Sequence, residues 1–471
     1  MGPGSAAERS AHELGSSGAG LRSVIRLLAS ERGGTRFRIF PQAPFGVAYG
    51  TPVEIELSPP AGSLGEGPHD ARMCVIQPEG KDWSYGQLVL RDAPRRAPLP
   101  PRRAPLPPWR GPVAPPAQPG PDGGFAHLEP GDPSFDQAHA YACVRLALDV
   151  WEGYLGRAVP WHFGRRMLEI GLLGQTYDNG EVGWGWLELG WDLSPDRPPH
   201  AFARNLDVIA HEVGHLIVYG IIGEPPVDLD AEYAGFHESF ADLVALLTAA
   251  HLDPVVDQVM ERARGNLYGA NELNRLGELS SNTQIRLASN TTRMSEFALG
   301  WVDEHDLAEP LTGAIFDLLL DIYQAELVGC GLIPRDLAEF AEERAHLRAF
   351  APMIQAGYDR CYPRAPSEFR RVFRSARDRL GGWLAHVLFR LRPYRLTYTA
   401  VRDAMLEADR LQGAGFAPRI RESFAWRQIG GIRPGPYLGS HERARASMTA
   451  GLHRCAKREL CGVPRFNHEF A

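Results

Sequence analysis

The stretch Asp207-Val208-Ile209-Ala210-His211-Glu212-Val213-Gly214-His215 decides how this chain is read. It sets His-Glu-x-x-His inside an apolar run. In a helix, residues four apart stack about one turn apart on one face. His211 and His215 would then point two imidazoles at one cation, with Glu212 beside the open coordination position. Two histidine ligands and a carboxylate base for bound water form the layout of a hydrolytic zinc site. Leu206, Val208, Ile209, Leu216 and Ile217 make the helix apolar over most of its surface, so it is expected to be buried. Unpaired polar groups are costly there, so both histidines and the glutamate need partners.

Catalytic zinc takes a third protein ligand. The next cluster is Gly235-Phe236-His237-Glu238-Ser239-Phe240-Ala241-Asp242-Leu243. Glu238 and Asp242 are four apart, on one face of a second helix. Apolar Phe236, Phe240, Leu243, Val244, Leu246 and Leu247 argue against a solvated acidic face. Glu238 is expected as the third metal ligand. Asp242, one turn on, is placed to accept the free ring N–H of a ligating histidine, His211. Asp207 is expected, with Asp242, to support the ligands from behind.

These two segments resemble the thermolysin-like gluzincin zinc metallopeptidases. The resemblance implies that His211 and His215 are ligands and Glu212 the general base. It makes Glu238 the third ligand and Asp242 its support. It also implies an α+β fold: a zincin-type catalytic domain, with a small mixed sheet and the active-site helices, followed by an α-helical lobe. Two positions depart from the family pattern. His237 stands where the family usually has Asn, and Ala241 where it has Ser.

Three further roles follow from the resemblance. An edge strand before the zinc helix binds the substrate backbone by strand addition. Residues 166–191 occupy that place, with Trp184 and Trp186 as candidate substrate contacts. Ile285-Arg286-Leu287-Ala288-Ser289-Asn290 is similar to the family's arginine segment, so Arg286 is a candidate to hold a substrate carbonyl. His305 lies ahead of the Gly313-containing helix and is the candidate donor to the oxyanion. Its offset from that glycine is longer than in thermolysin itself.

Other zinc families fail on spacing. A metzincin needs a glycine and a third histidine soon after the second, and Val218 and Ile221 stand there. The Gly-x-Met-Glu-Asn signature of aminopeptidase gluzincins and the Gly-Thr-x-Asp segment of aspzincins do not occur.

The 471 residues allow two or three domains. A net charge of -7 gives no basic footprint for nucleic acid. No apolar run is long enough to span a membrane. Leu21 to Ala29 carries Arg22 and Arg26 and lacks the apolar stretch of a secretory signal, so a cytoplasmic location is expected. The six cysteines form no CxxC pair, which disfavours a thiolate metal site.

Texture divides the chain into a disordered tail (1–20) and a β-rich accessory or pro-region (21–92). In the latter, Arg36–Phe40 and Val53–Leu57 alternate, and residues 83–90 are expected to add a strand. A Pro-rich linker (93–123) follows. It repeats Arg-Arg-Ala-Pro-Leu-Pro-Pro from Arg95 and from Arg102, favours polyproline II and offers a ligand to an SH3-like partner. Its Arg pairs are also a candidate nick site. Residues 124–255 form the N-terminal zincin lobe, with a helix over 136–155. Residues 256–412 form the α-helical lobe, with polar loops over 264–300 and a long helix from Glu304. Residues 413–471 are a C-terminal extension. The function expected is zinc-dependent hydrolysis of a peptide or protein substrate. A non-catalytic peptidase-fold binding module and a maturation protease dedicated to one partner are the alternatives.

Overall fold

The computed structural model describes residues 33–44, 49–87, 108–164, 167–195, 198–224, 230–269, 271–280 and 283–438, and the backbone of 453–454. The expected tail 1–20, the Pro-rich repeats of 93–107 and most of the chain beyond 438 lie outside them.

The fold is mixed α+β. Gly34–Ile39 (β1) and Val53–Pro60 (β2) pair antiparallel. Their alternation turns Phe37 and Ile39 inward while Arg36 stays exposed. Phe37 stacks between Phe125 and Tyr141, at 5.3 and 5.7 Å. Tyr141 belongs to the buried helix α1, Phe135–Leu155.

The central sheet is built from Met73–Ile76 (β3), Leu168–Leu172 (β4), Gly180–Val182 (β5) and Trp186–Leu189 (β6), in the order β5-β6-β4-β3. β3, β4 and β6 are parallel, and β5 runs antiparallel to β6. A short ribbon, Trp191–Asp192 (β7) with His200–Ala201 (β8), leads into the helices. These are Leu206–Ile221 (α2), Ala231–Ala249 (α3) and Asp253–Ala263 (α4). A hairpin of Arg275–Ser280 (β9) and Thr283–Leu287 (β10) precedes Glu304–Gly329 (α5). The helical part continues with Arg335–Arg344 (α6), Ala351–Cys361 (α7), Pro366–Arg390 (α8), Tyr398–Gln412 (α9) and Ala417–Trp426 (α10). His453–Arg454 (β11) adds to the free edge of β5.

Local chemistry sets the starts of the functional helices. Asn205 caps α2 by accepting from the Val208 N–H at 3.2 Å, and Asp230 caps α3 through the Glu232 N–H at 3.0 Å. Thr397 caps α9 the same way, through Ala400 at 3.1 Å. α2 and α3 then pack against each other at a pair of small residues. A Cβ on Gly214 would lie 2.6 Å from the Ala241 Cα, so only glycine permits this approach. Mid-helix glycine costs about 0.5–1 kcal/mol relative to alanine, and the close packing offsets that cost.

The segment expected as a separate β-rich region is built into the same body. One buried cluster runs from Phe37 to Ile429, and β3 is a strand of the central sheet. Residues 85–87 form a helical turn rather than part of the expected strand. The turn is held down by carboxylates on the sheet. The Tyr85 N–H donates to Glu188 at 2.6 Å, its hydroxyl to Glu169 at 3.1 Å, and buried Lys81 pairs with Glu188. The polar loops expected over 264–300 contain the β9–β10 hairpin, drawn to the helices by Asp207 and Asp242. Among the described residues no single helix is long and apolar enough to cross a membrane; α3 and α4 meet the length and composition together but are bent by 89°.

Replacing Gly214 by Val should force α2 and α3 apart and lower stability by about 1–3 kcal/mol, the usual cost of overpacking. Urea denaturation checks this. An unchanged midpoint would mean that the two helices are not held by this contact.

Candidate metal centre

The packing of α2 on α3 brings three donors together. His211 Nε2 and His215 Nε2 lie 3.1 Å apart. The first is 3.3 Å from Glu238 Oε2 and the second 3.7 Å from Glu238 Oε1. All three side chains are buried, their donor atoms lie within 4.8 Å of one another, and the group could hold a metal ion.

Each ring is held from behind. His211 Nδ1 lies 2.9 Å from Asp242 Oδ1. If Nε2 keeps its lone pair for an ion, the proton sits on Nδ1 and is donated to Asp242. Arg286, on β10, grips the same carboxylate through Nε, at 3.0 and 2.8 Å, and through Nη2, at 2.6 Å. Burial opposes the Asp242 charge, but Arg286 and His211 hold its pKa below the usual carboxylate value. The back nitrogen of His215 meets another imidazole: His237 Nδ1 lies 2.7 Å from His215 Nδ1.

Glu212 is fully buried, and neither carboxylate oxygen has a hydrogen-bond partner among the described residues. Burial pushes its pKa up to about 8, against the pull of His211. β5 passes close by, since a Cβ on Gly180 would come 3.8 Å from Glu212 Oε1. Glu238 has the opposite balance. Burial opposes its charge, yet His305 and His215 hold it well below the usual range.

His305 sits in the first turn of α5. Asp303 caps that helix and holds the ring: its Oδ1 accepts from the His305 N–H at 2.9 Å and lies 2.8 Å from Nδ1. The other ring nitrogen, Nε2, lies 3.1 Å from Glu238 Oε2. Burial works against the imidazolium, but Glu238 and Asp303 hold its pKa well above the ordinary value.

The structure thus gathers His211, Glu212, His215, Glu238, Asp242 and His305. The other four expected residues make other contacts. Asp207 accepts from Gln42 Nε2 at 3.2 Å and from the Gly277 N–H at 3.3 Å, tying α2 to the N-terminal segment and the hairpin rather than bracing a ligand ring. Arg286, expected on a substrate carbonyl, is bound to Asp242. Trp186 points away from α2. Leu189 of the same strand lies on the α2 side, beside Gly180 and Val208, and strand alternation puts Trp186 and Glu188 on the opposite face. There Trp186 packs against Tyr85 at 5.8 Å. Trp184 is half-buried and meets the His162 ring edge-on at 5.1 Å.

Two residues at the centre escaped the sequence reading. Asp303 had a signal, an acidic residue in the capping position before a helix. His237 carries no signal of its own beyond its place next to Glu238.

No model of a known protein family matches the chain, and no curated protein matches it. Among solved structures, the precursor of protealysin, a metalloproteinase from Serratia proteamaculans, is similar at 13% identity with a TM-score of 0.38. The match covers 75% of this chain and 96% of that one. At this level the likeness assigns neither family nor activity.

Protein purified without chelator is expected to carry about one metal ion per chain by elemental analysis, and His215→Ala to carry none. Asp242→Asn should weaken the ion's affinity about 10–100-fold in a competition titration, the usual cost of altering a ligand's hydrogen-bond partner. Full occupancy in His215→Ala would place the ion elsewhere.

Proposed function

We propose that the chain is a zinc-dependent peptidase in which Glu212 is the general base. The observation that carries this reading is the Glu212 carboxylate itself, buried beside three converging donors and without a hydrogen-bond partner among the described residues. A buried carboxylate in that state is costly. A cation and a water beside it remove the cost. Two imidazole nitrogens and one carboxylate oxygen suit zinc in a catalytic site.

His211, His215 and Glu238 would hold the zinc, which when bound would supply Lewis acidity for a water and the scissile carbonyl. Glu212 takes the water's proton and delivers it to the leaving amine. His305, its ring fixed by Asp303, donates from Nε2 to the carbonyl oxygen as negative charge develops there. Gly180 of β5 brings the strand backbone close to Glu212, on the α2 side of the sheet.

Glu212→Gln should keep the metal and lose hydrolysis of a mixed peptide library by about 10²-fold or more. Near-parental turnover in that variant would refute the assigned role. His305→Phe should lower kcat about 10²–10³-fold with KM little changed. If metal-loaded protein cleaves no peptide at all, the binding-module reading replaces this one.

A further inference from the structure

We infer that His237 is a positioning residue for the metal centre, one that fixes the tautomer of His215 through an imidazole–imidazole hydrogen bond. The inference rests on the proposed metal site but not on peptide hydrolysis.

The two Nδ1 atoms are 2.7 Å apart, the separation of a short N–H···N bond. Only one of them can carry a proton along that line, because two facing N–H groups would collide. His215 Nε2 is the atom that faces Glu238 and His211. To ligate through that nitrogen as a neutral ring, His215 must carry its proton on Nδ1. His237 must then offer a lone pair at Nδ1 and carry its own proton on Nε2. The reverse arrangement, with His237 donating, would put the His215 proton on Nε2 and block the metal.

The surroundings keep the His237 ring in line with His215. Its side chain is fully buried. The Tyr219 ring lies 4.4 Å from it, the Tyr233 ring 5.5 Å away, and the His215 ring 4.9 Å away at 25°. The rotations that would take Nδ1 out of line are therefore obstructed.

The two histidine ligands are held by different chemistry. His211 donates to a carboxylate, which makes a ligand more basic, although Arg286 tempers that carboxylate. His215 donates to a neutral ring, which fixes its orientation without adding negative charge. An Asn at 237 could accept the same bond through its amide oxygen. An apolar ring could fill the space but accept nothing.

The test uses the full-length, zinc-loaded protein labelled with ¹⁵N-histidine. The His237 resonances should show an unprotonated Nδ1 and a protonated Nε2; a proton on His237 Nδ1 overturns the inference. In chelator competition, His237→Phe should bind zinc about 10–100-fold more weakly than the parent. His237→Asn should recover most of that loss. Parental affinity in His237→Phe, or failure of Asn to rescue, also overturns it. If His237→Phe does not fold, as judged by circular dichroism, the spectrum of the unaltered protein still decides. A parent that binds no metal would instead remove the proposed centre itself.

Discussion

The site depends on one close approach. α2 carries two imidazoles, α3 carries two carboxylates, and these meet only because Gly214 lets the Ala241 backbone come within reach of its own. A larger residue at either position would have to push the helices apart. The donor atoms would then separate by a similar amount, and a cluster whose members now lie within 4.8 Å would open. Ala241 falls at this contact, and His237 falls at the back of His215. Both bear on how the helices and rings fit, and both leave the donor atoms unchanged.

Electrostatics then decides which groups carry charge. The ionisable side chains of the centre are buried together, and burial opposes the charge on His211, Glu212, Glu238, Asp242 and His305. Glu238 and Asp242 nonetheless stay ionised, because histidines and Arg286 face them. His305 stays protonated for the converse reason. Glu212 alone is left with burial as the dominant influence. A cation bound to the neighbouring donors would oppose that influence and favour the ionised carboxylate, the form that can accept a proton. Glu238, which would ligate, is thus already charge-compensated, and Glu212, left in want of a partner, is the group to which the proposed function gives a chemical step.

The sequence made the centre legible where spacing alone fixes geometry. Residues four apart on a buried helix must share a face, so His211 with His215 and Glu238 with Asp242 could be paired without coordinates. The placement of His305 followed from the family resemblance rather than from spacing. Arg286 and the tryptophans were harder because their roles depend on tertiary direction. Strand alternation would have put Trp184 and Trp186 on one face, but which face looks at α2 depends on sheet order, which the sequence does not state. Arg286 could be matched to a motif, but its bond to Asp242 requires a hairpin where polar composition suggested loops. The texture that marked residues 21–92 as separate was real in composition and misleading in packing, because β3 is too short to announce that it joins a distant sheet.

That last point bears on the idea of a removable N-terminal region. The twin Arg pairs of the linker offer a place to cut, but a cut does not release what is bonded elsewhere. Gln42 is hydrogen-bonded to Asp207 at the start of α2, and β3 is hydrogen-bonded to β4 along its length. Lys81 sits between the rings of Trp83, Tyr85 and Trp109 and neutralises Glu188 in the sheet's interior. Taking Lys81 away would leave a buried carboxylate uncompensated, and breaking one side of such a pair typically costs about 3–5 kcal/mol. Residues 33–44 and 49–87 are therefore part of the frame around β4, β6 and α2. A nick in the linker would leave them bound to that frame.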